Sequence, residues 1–378
     1  MKVSIVTEVR IILYNNNYYV DASFLKIIER YKKAFNNITI FSRVIEGNNN
    51  DIKGLKIIEK NIKIINTGSI SSFVFKKVNK EYIDIIKDSN LIVFRVPSIV
   101  SLKLYRLIKK EKKKYLCEIM GCAFDAYWNH GIIGKIIAIP MYFMMKVIIK
   151  NADYCLYVTK YFLQKRYPTN AYCINASNVN INEPVNYKDY SNFIKNNITL
   201  FTAAALNVKY KGQQYVIRAI KELKNKGINV NYYLAGKGKA DYLVNVAKKC
   251  HVYDNIHILG MLDKEGVNKM MLNTDIYIQP SLQEGLPRSL IEAMNCGLVC
   301  AGAKTAGIPE LLNRKYIFKR GNVKSIVKCL SNIVNENLDE IGKSNSIEAK
   351  KYYCITLDKK REEFYNKIVE DLSKNEQV

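Results

Sequence analysis

The chain has 378 residues, a length that favours two domains over a single core. Apolar residues make up 48% of it, as in globular proteins, and its formal net charge is +25. The basic residues show no clustered arginine with interleaved aromatics and no recognition module, so we expect no nucleic-acid partner. The charge instead favours an anionic membrane surface or a diphosphate-bearing substrate, and a lysine-rich coding bias accounts for it equally well.

The sequence predicts no transmembrane helix, because it has no uninterrupted run of about 18 apolar residues. The nearest approach, at 136–150, is broken by Pro140, Lys146 and Lys150. The N-terminus alternates apolar and polar residues in the manner of a strand, and it does not resemble a secretory signal. We therefore expect a cytoplasmic protein.

Nine cysteines are scattered along the chain without a repeated Cys-x2-Cys unit. Their number is odd, and several lie in predicted strands or helices, as buried free thiols do. The histidines, His130, His251 and His257, are not spaced as metal ligands. We expect reduced thiols and no metal cofactor.

In the first half of the chain, apolar runs alternate with amphipathic ones. The apolar runs predict strands at 3–8, 38–45, 55–65, 91–96, 115–121, 154–159 and 171–175. Helical patterns lie between them at 21–35, 80–88, 101–114 and 131–150. Strands separated by helices predict a parallel sheet with helices on both faces, which binds ligands at the carboxyl ends of its strands.

A polar segment at 178–197 lacks both periodicities and is predicted to be a linker. The alternation restarts after it. The second domain begins at 198–207. Strands are predicted at 229–236, 255–260, 275–280, 298–302 and 316–318, and helices near 212–225, 239–249, 264–272, 287–295 and 323–334. The chain therefore consists of two α/β domains in tandem, each with the doubly wound pattern.

The most informative segment, QPSLQEGLPRSLIEAMNCGLVCAG, covers 279–302. Glu284 is predicted to lie in a loop, and Glu292, eight positions later, on a helix. Pro287 suits the first helical turn, and Gly297 suits a left-handed cap at the end of that helix. A helix N-terminus favours phosphate and carboxylates accept hydrogen bonds from hydroxyls, so the segment suits a nucleotide sugar.

This segment resembles the Glu-x7-Glu signature of retaining glycosyltransferases of family 4. The spacing of EGLP, EAM and, at 307–310, GIPE carries the resemblance. It implies the GT-B fold, in which two Rossmann-like doubly wound domains face an interdomain cleft. By this resemblance, 1–185 is the acceptor-side domain and 196–356 the donor domain, and a last helix, at about 357–378, crosses back onto the first domain.

The resemblance also implies roles for single residues. Glu292 would bind the donor ribose and Glu284 the transferred sugar. Lys211 and Gly212 match a Lys-Gly that holds the donor diphosphate, but the arginine that precedes it in the family is replaced by the small or apolar group around Ala205 and Leu206. The remaining donor-side residues would be Lys209, which replaces that cation, and Gly285, Leu286 and Pro287, whose amides or turn follow Glu284.

In the first domain, the segment 120–135 is predicted to be a loop between a strand and a helix, rich in polar and aromatic residues. Members of the family place a His or an Asp there, against the donor sugar. Asp125 and His130 are the two candidates, and the sequence does not choose between them. Trp128 either stacks on a sugar or packs in the core.

Together these features predict a retaining, metal-independent glycosyltransferase that uses a UDP- or GDP-linked sugar. The acceptor would be a glycan or a polyprenyl-diphosphate-linked sugar in capsule, O-antigen or exopolysaccharide assembly. The enzyme would be cytoplasmic, with peripheral contact to an anionic membrane. Two alternatives stay open: a GT-B-like nucleotide-sugar epimerase and a catalytically silent sugar-nucleotide or membrane-binding module.

Overall fold

The computed structural model describes residues 1–69, 78–129 and 131–375, and their contacts divide the chain into two units. The first unit takes in the chain up to Val158, then Leu163–Ala176 and the chain from Asp358 onward. The second unit takes in Thr159–Phe162 and Ser177–Leu357. The segment at 178–197, predicted to be a linker, therefore groups with the second unit.

In the first unit, the described residues form a sheet of nine strands. They are β1 (Lys2–Tyr14), β2 (Asn17–Val20), β3 (Asn37–Glu46), β4 (Lys56–Ile57), β5 (Lys63–Asn66), β6 (Leu91–Val96), β7 (Tyr115–Ile119), β8 (Tyr154–Tyr157) and β9 (Tyr172–Asn175). The parallel strands lie in the order β5-β3-β1-β6-β7-β8-β9, and β2 and β4 add antiparallel pairs beside the end of β1. Strands β6, β7 and β8 are buried throughout, which agrees with their mostly apolar sequences.

The helices of this half alternate with the strands. They are α1 (Ala22–Ala34), α2 (Lys80–Asp88), α3 (Ile99–Lys110), α4 (Ala123–Trp128), α5 (Gly131–Lys150) and α6 (Phe162–Arg166). Polar side chains cap three of them, since Asp21, Asn79 and Ser98 accept hydrogen bonds from amides in the first turns of α1, α2 and α3.

Two predictions for this half were wrong. The strand expected at 55–65 is two short strands, β4 and β5. The loop expected at 120–135 is largely helical, because α4 and α5 occupy most of it.

The α5 helix bears on the prediction of no transmembrane helix, which was based on the absence of an uninterrupted run of about 18 apolar residues. Pro140 lies inside the helix without ending it, and by length and composition alone Gly131–Lys150 passes as a span. Core helices of soluble proteins have the same length and composition, and 33% of the most apolar part of this helix is buried.

The second unit contains a six-stranded sheet, all parallel, in the order β12-β11-β10-β13-β14-β15. Its strands are β10 (Asn197–Ala203), β11 (Asn229–Ala235), β12 (Ile256–Gly260), β13 (Ile276–Gln279), β14 (Val299–Ala303) and β15 (Ile317–Phe318). From β10 the chain adds β11 and β12 on one side. It then returns and adds β13, β14 and β15 on the other side of β10. This is the Rossmann strand order, and it confirms the doubly wound architecture predicted from the sequence.

The helices of the second half follow the strands. They are α7 (Gln213–Lys224), α8 (Asp241–Lys249), α9 (Lys264–Asn273), α10 (Arg288–Asn295), α11 (Ile308–Leu311), α12 (Val323–Ile333), α13 (Leu338–Ala349) and α14 (Cys354–Asn375). Within the first unit, Tyr365 of α14 packs against Tyr31 and Phe35 of α1.

A segment from the middle of the chain is bound into the second unit by one carboxylate. Glu310 of α11 accepts hydrogen bonds from the backbone amides of Lys160, Tyr161 and Phe162. The segment 178–197 is attached as well, because the Tyr190 hydroxyl accepts from the Val299 amide at 2.7 Å.

A buried ion pair lies inside the first unit, between adjacent strands β6 and β7. Arg95 Nε is 2.7 Å from Glu118 Oε2, and both side chains are 3% exposed. The Tyr31 hydroxyl donates to the same carboxylate oxygen at 3.0 Å. The two buried charges therefore depend on each other for compensation.

We expect Glu118→Leu to lower the free energy of unfolding by about 3–5 kcal/mol, because it leaves Arg95 buried without its counter-charge. The double variant Arg95→Met, Glu118→Leu should recover much of that loss. Urea denaturation followed by circular dichroism measures both. A double variant no more stable than Glu118→Leu would contradict this account.

Candidate active site

The candidate site lies at the carboxyl edge of the second sheet, where the strand order reverses. Strands β10 and β13 are neighbours there, and the chain leaves them in opposite directions. In open α/β sheets, ligands bind in the crevice at this point. The two loops that follow these strands carry most of the donor-side residues predicted from the sequence, from Lys209 to Gly212 and from Glu284 to Pro287.

The two loops are held together at Gly212. This residue has φ +79°, and a Cβ atom placed on it would lie 2.0 Å from the carbonyl oxygen of Pro280. The amide of Leu282 donates to the carbonyl of Tyr210 at 2.7 Å, beside the same contact. Only glycine fits here, since it tolerates both the left-handed backbone and the close approach.

Lys211 and Glu284 meet across these loops. Lys211 Nζ lies 2.6 Å from Glu284 Oε1, and the two side chains are 21% and 12% exposed. The structure thus brings together two residues that are 73 positions apart in the chain. An ammonium and a carboxylate in contact at a half-open edge can rearrange toward a ligand that offers phosphate to one and hydroxyls to the other.

Gln279, the last residue of β13, orients Glu284 and was not identified from the sequence. Its Nε2 donates to Glu284 Oε1 at 3.1 Å and to Ser281 Oγ at 2.8 Å. Its Oε1 lies 2.9 Å from the hydroxyl of Tyr277, which is also 2.8 Å from Ser289 Oγ. A buried polar residue ending an apolar strand is the signal that could have found it.

Glu292 lies on α10, near the Glu284 loop along the chain. Burial is the main cause that raises the pKa of this carboxyl above its ordinary value, and Arg288 and Lys264 oppose the shift. Within the described part of the chain, no residue hydrogen-bonds to its side chain. Glu292 is therefore a partly buried carboxylate whose acceptor capacity is available to a ligand.

The turn between the two carboxylates contains the remaining predicted residues. Pro287 precedes α10 with φ −70° and lies one position before the helix, next to the first turn for which it was predicted. The Gly285 carbonyl accepts from the Gly307 amide at 2.9 Å, and Leu286 is buried. This contact ties the GIPE turn to the turn that begins α10.

Lys209 stands at the start of the same turn as Lys211. Its side chain is exposed, and among the described residues it forms no ion pair, while its carbonyl accepts from Gln214 Nε2 at 2.9 Å. Of Ala205 and Leu206, the group around which the family's arginine was predicted to be replaced, Leu206 is buried. Within the described ranges, the ammonium of Lys209 is therefore exposed and has no carboxylate partner.

The first-domain candidates lie in the other unit. Asp125 is in the first turn of α4, with its carboxylate 15% exposed and 3.8 Å from Arg166 Nη2. His130 lies outside the described residues. Trp128 is 40% exposed and stacks on Phe124 with ring centroids 4.9 Å apart.

Comparison with known proteins identifies the family. A sequence model described as glycosyl transferases group 1 matches residues 186–351. Protein CapJ from Staphylococcus aureus is 34% identical over 374 residues, which cover 95% of this chain and 94% of CapJ. The chain belongs to the group 1 glycosyltransferases.

Solved structures of similar fold extend over the whole chain of this group 1 glycosyltransferase. Sucrose-phosphate synthase from Thermosynechococcus elongatus has a TM-score of 0.72 at 11% identity, with 98% of this chain and 99% of that one covered. HepE from Anabaena, solved with UDP and glucose, has a TM-score of 0.67 at 14% identity, with 97% and 100% covered. The GT-B fold predicted from the sequence is confirmed.

Among the described residues, no group of three or more His, Cys, Asp or Glu side chains is placed to hold a metal ion. The predicted residues of the candidate site include the charges of Lys209, Lys211, Glu284 and Glu292, and Arg288 and Lys264 also act on Glu292.

We expect Gly212→Ala to destabilise the protein more than Gly227→Ala. Both glycines have φ +79°, but nothing lies within 4 Å of a Cβ at Gly227. The control should therefore lose only the backbone term, about 1–2 kcal/mol, whereas Gly212→Ala must also displace Pro280. Thermal unfolding of the two variants gives the comparison, and equal losses would contradict the close contact.

We expect Glu292→Gln to be more stable than the wild type at neutral pH. Because the folded pKa is raised, the penalty of a buried charge is absent below the ordinary value of 4.5 and grows as the pH rises through the folded pKa. The stability difference should therefore shrink toward acidic pH. Thermal unfolding against pH tests this, and a difference independent of pH would contradict it.

Proposed function

We propose that the protein is a retaining, family 4 hexosyltransferase that moves a sugar from a UDP- or GDP-linked donor to a glycan or polyprenyl-diphosphate-linked acceptor. The observation that carries the proposal is the contact of Lys211 with Glu284 at the switch point of the second sheet, with Glu292 following on α10. Cation, carboxylates and glycine turn are the groups that a nucleotide sugar requires.

In this proposal Glu292 binds the ribose. No described residue donates a hydrogen bond to this carboxylate, so its oxygens can accept hydrogen bonds from two ribose hydroxyls. Burial makes the site selective, because a partly desolvated carboxylate recovers more from hydrogen bonds than one in water. Burial raises the pKa of the Glu292 carboxyl, which means that its charged form is destabilised until the ligand binds.

Lys211 and Lys209 would hold the diphosphate, together with the amides of Gly285 and Leu286. As the bond from sugar to diphosphate breaks, negative charge develops on the leaving group, and fixed cations and N–H groups stabilise it. On binding, Lys211 would exchange part of its contact with Glu284 for a phosphate oxygen. These groups would act without a metal ion.

Glu284, once released in part from Lys211, would accept hydrogen bonds from the transferred sugar. Gln279 would keep the carboxylate in place, since its amide already donates to Glu284. On the acceptor side, Asp125 and His130 remain the two candidates. Retention of configuration is part of the proposal and follows from the resemblance of the EGLP and EAM motifs.

For the acceptor, we propose a surface polysaccharide intermediate such as a capsule, O-antigen or exopolysaccharide precursor at the cytoplasmic face of the membrane. The similarity to Protein CapJ over nearly the whole chain supports a shared activity between the two proteins. The likeness to HepE with UDP and glucose supports a nucleotide-sugar donor through the fold.

We expect Lys211→Ala and Glu292→Ala each to lower the affinity for the donor about tenfold to a hundredfold, because each removes a charge-assisted contact. Isothermal titration with UDP- and GDP-sugars measures the loss. Lys226→Ala, an exposed lysine beyond the far end of α7, is the matched control and should bind as the wild type.

Unchanged donor binding in both site variants would overturn the site assignment. NMR of the reaction tests the chemistry: a product that keeps the donor's anomeric configuration supports retention, and inversion contradicts it. Conversion of the sugar without any acceptor would instead show an epimerase. Binding without any turnover would show a silent module.

A further inference from the structure

The outward face of α5 is an exposed apolar stripe. Its large side chains are Ile132, Ile133, Ile136, Phe143 and Val147, with exposures of 79%, 73%, 69%, 58% and 51%. The intervals from Ile132 to Ile136, Phe143 and Val147 are four, seven and four residues, which places most of them on one side of a helix about 30 Å long. Soluble proteins rarely expose so many large apolar side chains in one patch unless a partner or a membrane covers it.

The inward face of the same helix is fixed in the first unit. Ala138, Met145 and Ile148 are at most 1% exposed, and Met141 is 5% exposed. The Tyr115 hydroxyl of β7 donates to the Ile148 carbonyl at 2.8 Å. Crossing a bilayer would require α5 to leave these contacts, so its outward face can meet lipid only while the helix lies along the surface.

The charges around the stripe are positive. Between Gly131 and Lys150 the helix has no acidic residue, and its lysines are Lys135, Lys146 and Lys150. None of these three lysines forms an ion pair with a described residue. The end of α3, which packs beside α5, adds the exposed Lys109 and Lys110. Such a rim repels a second copy of the same face and attracts anionic headgroups.

An aromatic residue lies at the beginning of the stripe. Trp128, 40% exposed, ends α4, and Lys135 Nζ lies 5.6 Å from the centre of its ring. Tryptophan beside lysine suits the boundary between headgroups and hydrocarbon, where the ring is half apolar and the ammonium reaches phosphate.

We propose that α5 docks the protein on an anionic lipid bilayer. The helix would lie in the plane of the surface, with the isoleucines and Phe143 below the headgroups and the lysines at the phosphates. Helices α4 and α5 follow the carboxyl end of β7, so this docking would bring lipid to the sheet edge that carries Asp125. That last point rests on the proposed function, because it assumes a lipid-linked acceptor, whereas the docking itself does not.

The test is flotation of the full chain with vesicles of phosphatidylcholine, with and without phosphatidylglycerol. We expect the wild type to float with the anionic vesicles and to be released by salt. Ile133→Glu, Ile136→Glu should bind at least about tenfold more weakly, because two apolar anchors become charges that the surface repels. The control is Ile347→Glu, Ile355→Glu, with 64% and 80% exposure in the wild type and no part in the stripe.

The proposal is overturned if the wild type does not float, or if both double variants float equally well. It is also overturned if light scattering without lipid shows a dimer that Ile133→Glu, Ile136→Glu abolishes, since a second copy would then cover the stripe. Donor titration separates this result from the proposed function. A stripe variant that no longer floats but binds the donor normally supports docking. A wild type that binds no nucleotide sugar would contradict only the transferase proposal.

Discussion

The candidate site depends on the contact between Gly212 and the carbonyl of Pro280. Strand order alone brings β10 and β13 side by side, but their following loops are free to diverge. A missing Cβ lets the backbone of one loop rest on the other. The packing of the two backbones places Lys211 and Glu284 within reach of each other.

The charges of the site illustrate a trade between stability and function. Lys211 and Glu284 compensate each other, and Gln279 adds a neutral donor, so this part of the site is satisfied before any ligand arrives. Glu292 is different, because burial raises the pKa of its carboxyl and no described residue hydrogen-bonds to its side chain. Sites that are ready for a ligand commonly carry such a cost. The buried pair of Arg95 and Glu118 also costs the desolvation of two charges, and the contact between them offsets that cost.

The sequence predicted well where a local signal set the structure. Alternating strands and helices gave two parallel sheets, and Gly297 takes the left-handed cap expected of it, at φ +70°. The sequence predicted poorly where contacts between residues far apart in the chain determine the structure. Gln279 acts through residues on both sides of it, and the helical state of 123–128 lacks a strong capping signal, since Cys122 makes no side-chain cap. By contrast, the helical pattern predicted at 131–150 is confirmed, and α5 continues through Pro140.

The hydrogen bonds of Glu310 have a consequence for dividing the protein. The second unit is not one continuous stretch of chain, because the amides of Lys160, Tyr161 and Phe162 belong to it and reach Glu310 from before the linker. A fragment that starts at Ser177 would lack these donors and leave a carboxylate without its backbone cap. The two halves are therefore joined by exchange of chain segments, so that neither half is complete when cut at the linker.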